Sequence, residues 1–371
     1  MKILILAQLV THSGVGIYIK SLSEQLCKTG DEVHILSQQF DVELDDRIIK
    51  HRLCVLSKRN IPKNYRIFKK VVKDNKIDII FVQHRIVGIY PLIYNLFGRK
   101  VPGVYILHTE RLGNNSFINR LFTYKGDLTI AISTRVKESL IRDLKVDPEK
   151  IRLINNGVNN KDLKPCSADE KSAKRERLNI PGNKIVICIH GRIDYVKGHD
   201  LLFAAMKNLE ATQLAKCHIV VSGSTENNPY YEQLQRQIEE LQIKDLVTFV
   251  GWSSPEAVLS ISDLMVQPSR REGFPLSTLE AFFMKVPVIR SLTGGAEDMR
   301  DCCRFVEIDN VEQLSNEINR YITARDTDKI NEYKEMVDRA YEYANENGSI
   351  EIMTKRTRSV FEEILNENKK S

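Results

Sequence analysis

The 371-residue sequence has no apolar run of the ~18–20 residues that a bilayer-spanning helix requires, so an integral membrane protein is not expected. Aromatic residues are sparse, at 7% with a single Trp, and 18 glycines and 11 prolines are too few for a fibrous or low-complexity chain. The seven cysteines are odd in number and none are spaced Cys-x-x-Cys; the adjacent Cys302 and Cys303 suit neither a disulfide framework nor a zinc site. Reduced thiols in the cytoplasm are the reading. The apolar start, Met1 to Val10, runs into Thr11-His12-Ser13-Gly14 without a small-x-small cleavage site, and so predicts a buried first strand rather than a signal peptide.

At 42% apolar and 28% charged, the chain can bury sizeable cores beneath a soluble surface. Its length suits two domains of the usual ~100–200 residues. The net charge of +6 conceals an asymmetry. Residues 1–180 carry 32 Lys+Arg against 19 Asp+Glu, and the remainder carry 23 against 30. A basic half beside an acidic half implies two domains with different partners.

Short apolar clusters alternate with longer amphipathic stretches. Strands are predicted at Lys2–Ala7, Glu32–Ser37, Ile79–Gln83, Val104–His108 and Leu128–Ile132, with a helix over Tyr18–Lys28 between the first two. After Lys164-Pro165 the pattern weakens: Ser167–Asn183 is polar and charged, and the domain linker is placed near its start. The alternation then restarts. Strands are predicted at Lys184–His190, His218–Ser222, Val247–Val250, Leu264–Gln267 and Val286–Arg290, and helices at Leu201–Leu209, Tyr230–Leu241, Pro255–Ile261 and Ser277–Met284. The fold class is therefore α/β, with parallel sheets covered on both faces. The expected domains are 1–164 and 165–350, with a last amphipathic helix over 351–371 crossing back to the first.

Three segments carry chemistry. Gly14-Val15-Gly16 follows the first strand and opens a helix, where backbone N–H groups can meet an anion. The third glycine of the dinucleotide fingerprint is missing, and His34-Ile35-Leu36-Ser37-Gln38-Gln39 has no acidic residue for a ribose, so an NAD site is not expected. A tight turn without a ligand is the alternative. Gly191-Arg192, five residues before Lys197-Gly198, places two cations beyond a strand, where open α/β sheets bind ligands. Arginine forks onto phosphate oxygens and lysine acts as a compact charge. A solvated basic turn is the plain reading of the same residues. Ser269 to Ala281 sets Glu272 and Glu280 eight apart around a Gly/Pro turn, with Glu280 about one turn into a helix. That helix start offers free N–H groups, and a carboxylate beside it can accept a pair of hydroxyls. A capped surface helix is the alternative.

Taken in this order, with Ile154-Asn155-Asn156-Gly157-Val158, Val286-Pro287-Val288-Ile289 and Gly294-Gly295-Ala296-Glu297, the segments resemble the retaining nucleotide-sugar glycosyltransferases of family 4. The resemblance spans nearly the whole chain. It implies the GT-B fold: two doubly wound Rossmann-like domains facing across a cleft. It also implies transfer of a sugar from a nucleotide diphosphate sugar, UDP favoured over GDP, to an acceptor hydroxyl with retention and without a metal or other cofactor. In the family, residues matching Arg192 and Lys197 neutralise the diphosphate, and the match of Glu280 binds the ribose hydroxyls. Glu272 faces the transferred sugar, and His108 matches an active-site histidine, with a satisfied core histidine as its plain alternative. Gly191, the backbone of Gly273, Phe274, Pro275 and Leu276, and Ser277 complete the donor site. Gly14 and Gly16 approach the phosphate from the first domain. Here the sequence departs from the family, where many members carry Gly-Gly.

Asp326-Thr327-Asp328 has the form of a metal-binding pair of another glycosyltransferase fold, but lies in a charged stretch and reads as a solvated turn. Lys58, Arg59, Lys63, Arg66, Lys69, Lys70 and Lys73 occur without an intervening acid, interleaved with Ile67, Phe68, Val71 and Val72. This pattern suits an anionic membrane surface or a solvated helix face; it has few aromatics for stacking nucleic-acid bases, and nucleic acid is not an expected partner. The sequence reading is thus a cytoplasmic transferase, peripheral on the inner face of the membrane, whose acceptor is a lipid-linked or growing saccharide in polysaccharide or lipopolysaccharide assembly. A nucleotide-sugar 2-epimerase or an inactive nucleotide-sugar-binding protein are the alternatives.

Overall fold

The computed structural model describes residues 1–97, 100–110 and 120–370. The chain divides into two compact units, Met1–Gly157 with Ser349–Ser371, and Val158–Gly348. The chain enters the second unit at Val158 and leaves it at Gly348, and the Val158 N–H donates to the Gly348 carbonyl at 2.8 Å.

The first unit holds a seven-stranded parallel sheet of β1 (Lys2–Leu6), β2 (Glu32–Ser37), β3 (Ile49–Arg52), β4 (Ile79–Val82), β5 (Gly103–Leu107), β6 (Leu128–Ala131) and β7 (Ile151–Leu153). Their order is β3-β2-β1-β4-β5-β6-β7. Ile3 of β1 pairs with Val33 on one side and Ile79 on the other. The central strands are apolar on both faces because helices cover both, so β1 and β4 are almost wholly buried. The helix Ile350–Lys370 belongs to this unit: Arg358 pairs with buried Asp31 at 3.0 Å, and Phe361 meets Phe81 edge-on at 5.2 Å between ring centres.

The second unit holds six parallel strands, β8 (Ile185–His190), β9 (Cys217–Ser222), β10 (Val247–Phe249), β11 (Leu264–Gln267), β12 (Val288–Ser291) and β13 (Arg304–Val306). Their order is β10-β9-β8-β11-β12-β13. Ile187 of β8 lies between Ile219 and Leu264. Strand order reverses at β8, which puts the carboxyl ends of β8 and β11 at the position where such sheets form a ligand crevice.

Two features escaped the sequence pattern. Within the polar segment Ser167–Asn183, Ala168–Arg177 is a helix, opened by a capping box in which Ser167 and Glu170 satisfy each other's backbone groups. Its polarity masked it, because its main anchor is ionic. Buried Arg175 reaches Asp263 at 2.7 Å, and Lys171 reaches the same carboxylate at 2.8 Å. Edge strands β3, β7 and β13 also escaped the apolar pattern, since one side of each pairs with no further strand and their side chains are partly solvated.

Candidate functional site

The second unit builds its site from three strand ends. β8 ends in His190 and continues through Gly191, whose φ of +145° an L side chain rarely adopts. Gly223, after β9, packs so closely that a Cβ there would overlap the Gly191 carbonyl. Asp194 then caps the short turn Tyr195–Lys197, accepting from the Lys197 N–H at 3.1 Å. Gly198 closes the turn at φ +73°, with no room for a Cβ against the Pro268 carbonyl. These constraints aim the Lys197 side chain inward, 19% exposed.

β11 leads into the loop Pro268–Pro275 and the helix Leu276–Phe283. Gln267, the last residue of β11, donates to Ser277 Oγ and accepts from Thr278 Oγ1, both at 2.8 Å, which pins the first turn of the helix to the strand end. No side chain caps this helix start, so its first N–H groups are left for a partner outside the helix. Glu272 in the loop meets Lys197 Nζ at 2.7 Å. Burial pushes the Glu272 carboxyl up, but the Lys197 charge and hydrogen bond outweigh it and hold it below its ordinary value. Glu280, one turn into the helix, has no such direct partner. Burial raises its carboxyl to about 7, against a smaller opposing pull from Lys197.

The structure therefore gathers Lys197, Glu272, Glu280 and the helix start at Leu276 and Ser277 around one crevice. Phe274 is buried as the wall behind the loop, its ring 3.0 Å from where a Cβ on Gly295 would stand. Arg192 sits apart from Lys197: its side chain is 64% exposed and pairs with Asp194 at 3.1 Å. It can swing onto an anion at little cost, since an exposed pair of this kind contributes about 0–1 kcal/mol.

Three residues that sequence reasoning missed hold the site together. Arg270 forks onto Asp200 at 2.9 and 2.7 Å, reaches Asp309 at 2.7 Å and the Tyr195 carbonyl at 2.6 Å, and lies 3.8 Å above the Tyr195 ring. Its own N–H donates to the Val196 carbonyl at 2.7 Å. It thus fastens the Lys197 turn to the Glu272 loop. Arg290, fully buried at the end of β12, donates to the Gly294 carbonyl at 2.8 Å and to Thr293 Oγ1 at 3.1 Å. It holds the glycine turn on which the backbone of Glu272 and Gly273 rests, where a Cβ on Gly294 would overlap both carbonyls. His190 is the third. An arginine ending an apolar strand just before Thr293-Gly294-Gly295 was the available signal for Arg290; Arg270 beside Arg271 gave none.

The remaining expected residues lie in the first unit. His108 follows β5 and is held by Gln83 Oε1 at 2.9 Å and the Tyr18 ring, edge-on at 4.9 Å. Burial, with the charge of His84 adding to it, pushes its imidazole down to about 3, so it is neutral. Gly16 has a structural reason of its own. It is in the first turn of the helix Gly14–Lys28, its N–H donates to Ser13 Oγ at 3.2 Å, and a Cβ would stand 2.6 Å from the Thr11 nitrogen. Gly14 has open space around its Cβ position. Among the described residues, no group of three or more His, Cys, Asp or Glu side chains has metal-binding geometry. Asp326 instead pairs with Lys216 at 3.0 Å at the surface.

Comparison with known proteins gives a consistent result. The family model "Glycosyl transferases group 1" matches residues 170–343, and "Glycosyltransferase Family 4" matches residues 12–162. An uncharacterized glycosyltransferase of Methanocaldococcus jannaschii is 24% identical over 307 residues, covering 76% of this chain and 77% of that protein. D-inositol 3-phosphate glycosyltransferase of Streptomyces scabiei is 32% identical over 181 residues, 46% of this chain and 40% of that one. Among solved structures, sucrose-phosphate synthase of Thermosynechococcus elongatus superposes with a TM-score of 0.82 at 19% identity, covering 99% of this chain and 100% of that one. HepE of Anabaena, solved in complex with UDP, gives 0.82 at 19% identity over 98% of this chain and 100% of that one.

Proposed function

The chain is a family-4-like glycosyltransferase of the GT-B fold, and from that premise we propose that it transfers a sugar, with retention, from a UDP-sugar to a saccharide acceptor. The observation that carries the reading is the second-unit crevice, where Lys197 and Glu272 lie 2.7 Å apart beside an uncapped helix start and a partly ionised Glu280. Lys197, with Arg192 swung inward, neutralises the diphosphate, and Glu280 accepts the ribose hydroxyls. Glu272 faces the sugar, and the N–H groups of Gly273, Phe274, Leu276 and Ser277 hold its oxygens and those of the phosphate. The choice of UDP over GDP is supported by HepE, which has been solved with UDP-glucose.

The acceptor hydroxyl attacks the anomeric carbon on the face from which the diphosphate leaves. The bond from that carbon to the β-phosphate oxygen breaks as the new glycosidic bond forms, and the departing phosphate takes the hydroxyl proton. The two cations stabilise the charge growing on the leaving group, so the proposed reaction calls for no metal. His108, neutral, would act toward the sugar as a hydrogen-bond donor or acceptor rather than as a charge.

The acceptor is proposed to be lipid-linked, in polysaccharide or lipopolysaccharide assembly, with the enzyme cytoplasmic and peripheral on the inner membrane face. Among the described residues no helix is long and apolar enough to cross a membrane. The helix Ile61–Asp74 presents Lys63, Arg66, Lys69, Lys70 and Lys73 outward and buries Phe68, Val71 and Val72. Lys50 and Arg52 of β3 join Lys70 around a groove of about 500 Å³ floored by Ile67 and Val71.

The deciding experiment is transfer of radiolabelled sugar from UDP-sugars to lipid-linked acceptors, with and without EDTA, alongside calorimetry with UDP and GDP. Tight UDP binding and EDTA-resistant transfer are expected. Loss of turnover in EDTA, or a preference for GDP, would overturn the respective part.

A further inference from the structure

His190 is a buried group that the donor reading leaves unused. It is the last residue of β8, and its Nε2 lies 3.9 Å from Glu280 Oε2 with both side chains largely buried. Its Nδ1 is 3.1 Å from Oγ of Ser222, the last residue of the neighbouring β9. Ser222 Oγ has a second acceptor, the Gly251 carbonyl, at 3.4 Å. With Ser222 donating to Nδ1, the ring proton sits on Nε2, facing the carboxylate. Burial pushes the imidazole down to about 4, and Lys197 adds to this, so at neutral pH the group is a neutral N–H donor.

Glu280 needs such a donor. Burial favours its protonated form, and Lys197, from the Tyr195–Lys197 turn, is the cation that opposes it. Lys197 already pairs with Glu272 and must also meet the diphosphate. A carboxylate that is to accept two hydroxyls has to be ionised and held in one orientation. At 3.9 Å the pair is just short of a hydrogen bond, a gap that a small rotation of the Glu280 carboxylate closes.

We propose that His190 is the positioning residue of Glu280: anchored by Ser222, its Nε2–H closes on one carboxylate oxygen as the ribose binds, keeping Glu280 ionised and oriented toward the ribose hydroxyls. The proposal rests on Glu280 being the ribose ligand. The test reads the Glu280 carboxyl directly, by carbon-13 NMR titration of Glu-labelled full-length protein, assigned with Glu280→Gln. Wild type, His190→Val and His190→Gln are compared with saturating UDP, and UDP affinity is measured from pH 6 to 9. His190→Val raises the Glu280 midpoint by about one pH unit, a tenfold change in proton affinity. It also weakens UDP binding about tenfold at pH 7 and far less at pH 9. His190→Gln, which keeps an N–H donor without a titrating ring, restores both. An unmoved midpoint in His190→Val, or a Gln variant that behaves like Val, overturns the role of His190. A midpoint that moves while Glu280→Gln binds UDP as tightly as wild type overturns the ribose reading instead.

Discussion

Lys197 Nζ stands 2.7 Å from Glu272 Oε1, joining the turn after β8 to the loop after β11 through one largely buried ion pair. If Lys197 binds the diphosphate as proposed, the donor takes the place of a carboxylate partner rather than desolvating a free ammonium.

Arg192→Ala and Lys197→Ala are each expected to cut turnover by about 100-fold or more, since removing one stabiliser of developing charge costs about 3–4 kcal/mol. They should differ in stability. Arg192 is mostly exposed and its loss should leave the melting temperature unchanged. Lys197→Ala leaves Glu272 without its partner. Because the folded Glu272 carboxyl lies below its ordinary value, its contribution is present at neutral pH and lost on acidification. Lys197→Ala should therefore melt lower than wild type at pH 7, with the gap narrowing only as the pH falls below about 4.5. Activity within threefold of wild type in both variants would remove the diphosphate assignment.

Glu280 has the opposite sign. Its folded carboxyl stands at about 7 against an ordinary value near 4.5, so the folded state binds the proton more tightly than the unfolded chain. Its contribution is full below about pH 4.5 and declines by about 1.4 kcal/mol per pH unit up to about 7. Glu280→Gln should match wild type at pH 4.5 and be the more stable protein at pH 8, as read by urea denaturation. The same variant should raise the donor KM more than it lowers kcat.

Asp263 gathers Lys171 at 2.8 Å, Arg175 at 2.7 Å, Arg325 at 3.2 Å and the Val186 N–H at 2.9 Å. These cations hold its carboxyl down at about 2 despite burial. Asp263→Asn should cost about 3–5 kcal/mol, because it strands buried cations, while leaving the crevice residues intact. A loss below about 1 kcal/mol in chemical denaturation would show the cluster to be solvated.

Gly14 and Gly16 can be separated. Gly16→Ala should destabilise the first unit through the Thr11 backbone, whatever the ligand. Gly14→Ala has space and should keep wild-type stability, so its effect on KM reports on anion binding at that helix start. An unchanged melting temperature in Gly16→Ala would contradict the packing.

For the membrane, the protein should sediment with anionic vesicles at low salt and be released at about 0.5 M salt, where screening shortens the reach of each charge. Changing Lys63, Arg66, Lys69 and Lys70 to Gln should abolish sedimentation and leave UDP binding intact, and Lys50→Gln with Arg52→Gln should weaken it. Failure of wild type to sediment makes the face an ordinary solvated one.

The central strands of both sheets were legible because buried parallel strands are apolar on both faces, as in β1, β8 and β11. The Ala168–Arg177 helix was not, because its anchor is the ionic contact of Arg175 with Asp263, residues distant in sequence. Edge strands β3, β7 and β13 were missed because one side of each is solvated.

The sequence by itself determined the α/β alternation, the glycines at special backbone angles after β8, and the residue types suited to the proposed phosphate and ribose roles of Arg192, Lys197, Glu272 and Glu280. Only the tertiary structure decided which of these meet. Lys197 pairs with Glu272, whereas Arg192 turns outward to Asp194. Glu280 is left with His190 as its neighbour, and Arg270 and Arg290 act as the struts of the crevice. Local sequence sets backbone propensity and side-chain chemistry, but the charge state of a carboxylate depends on burial and on partners brought from other strand ends, and those are fixed only when the sheet closes.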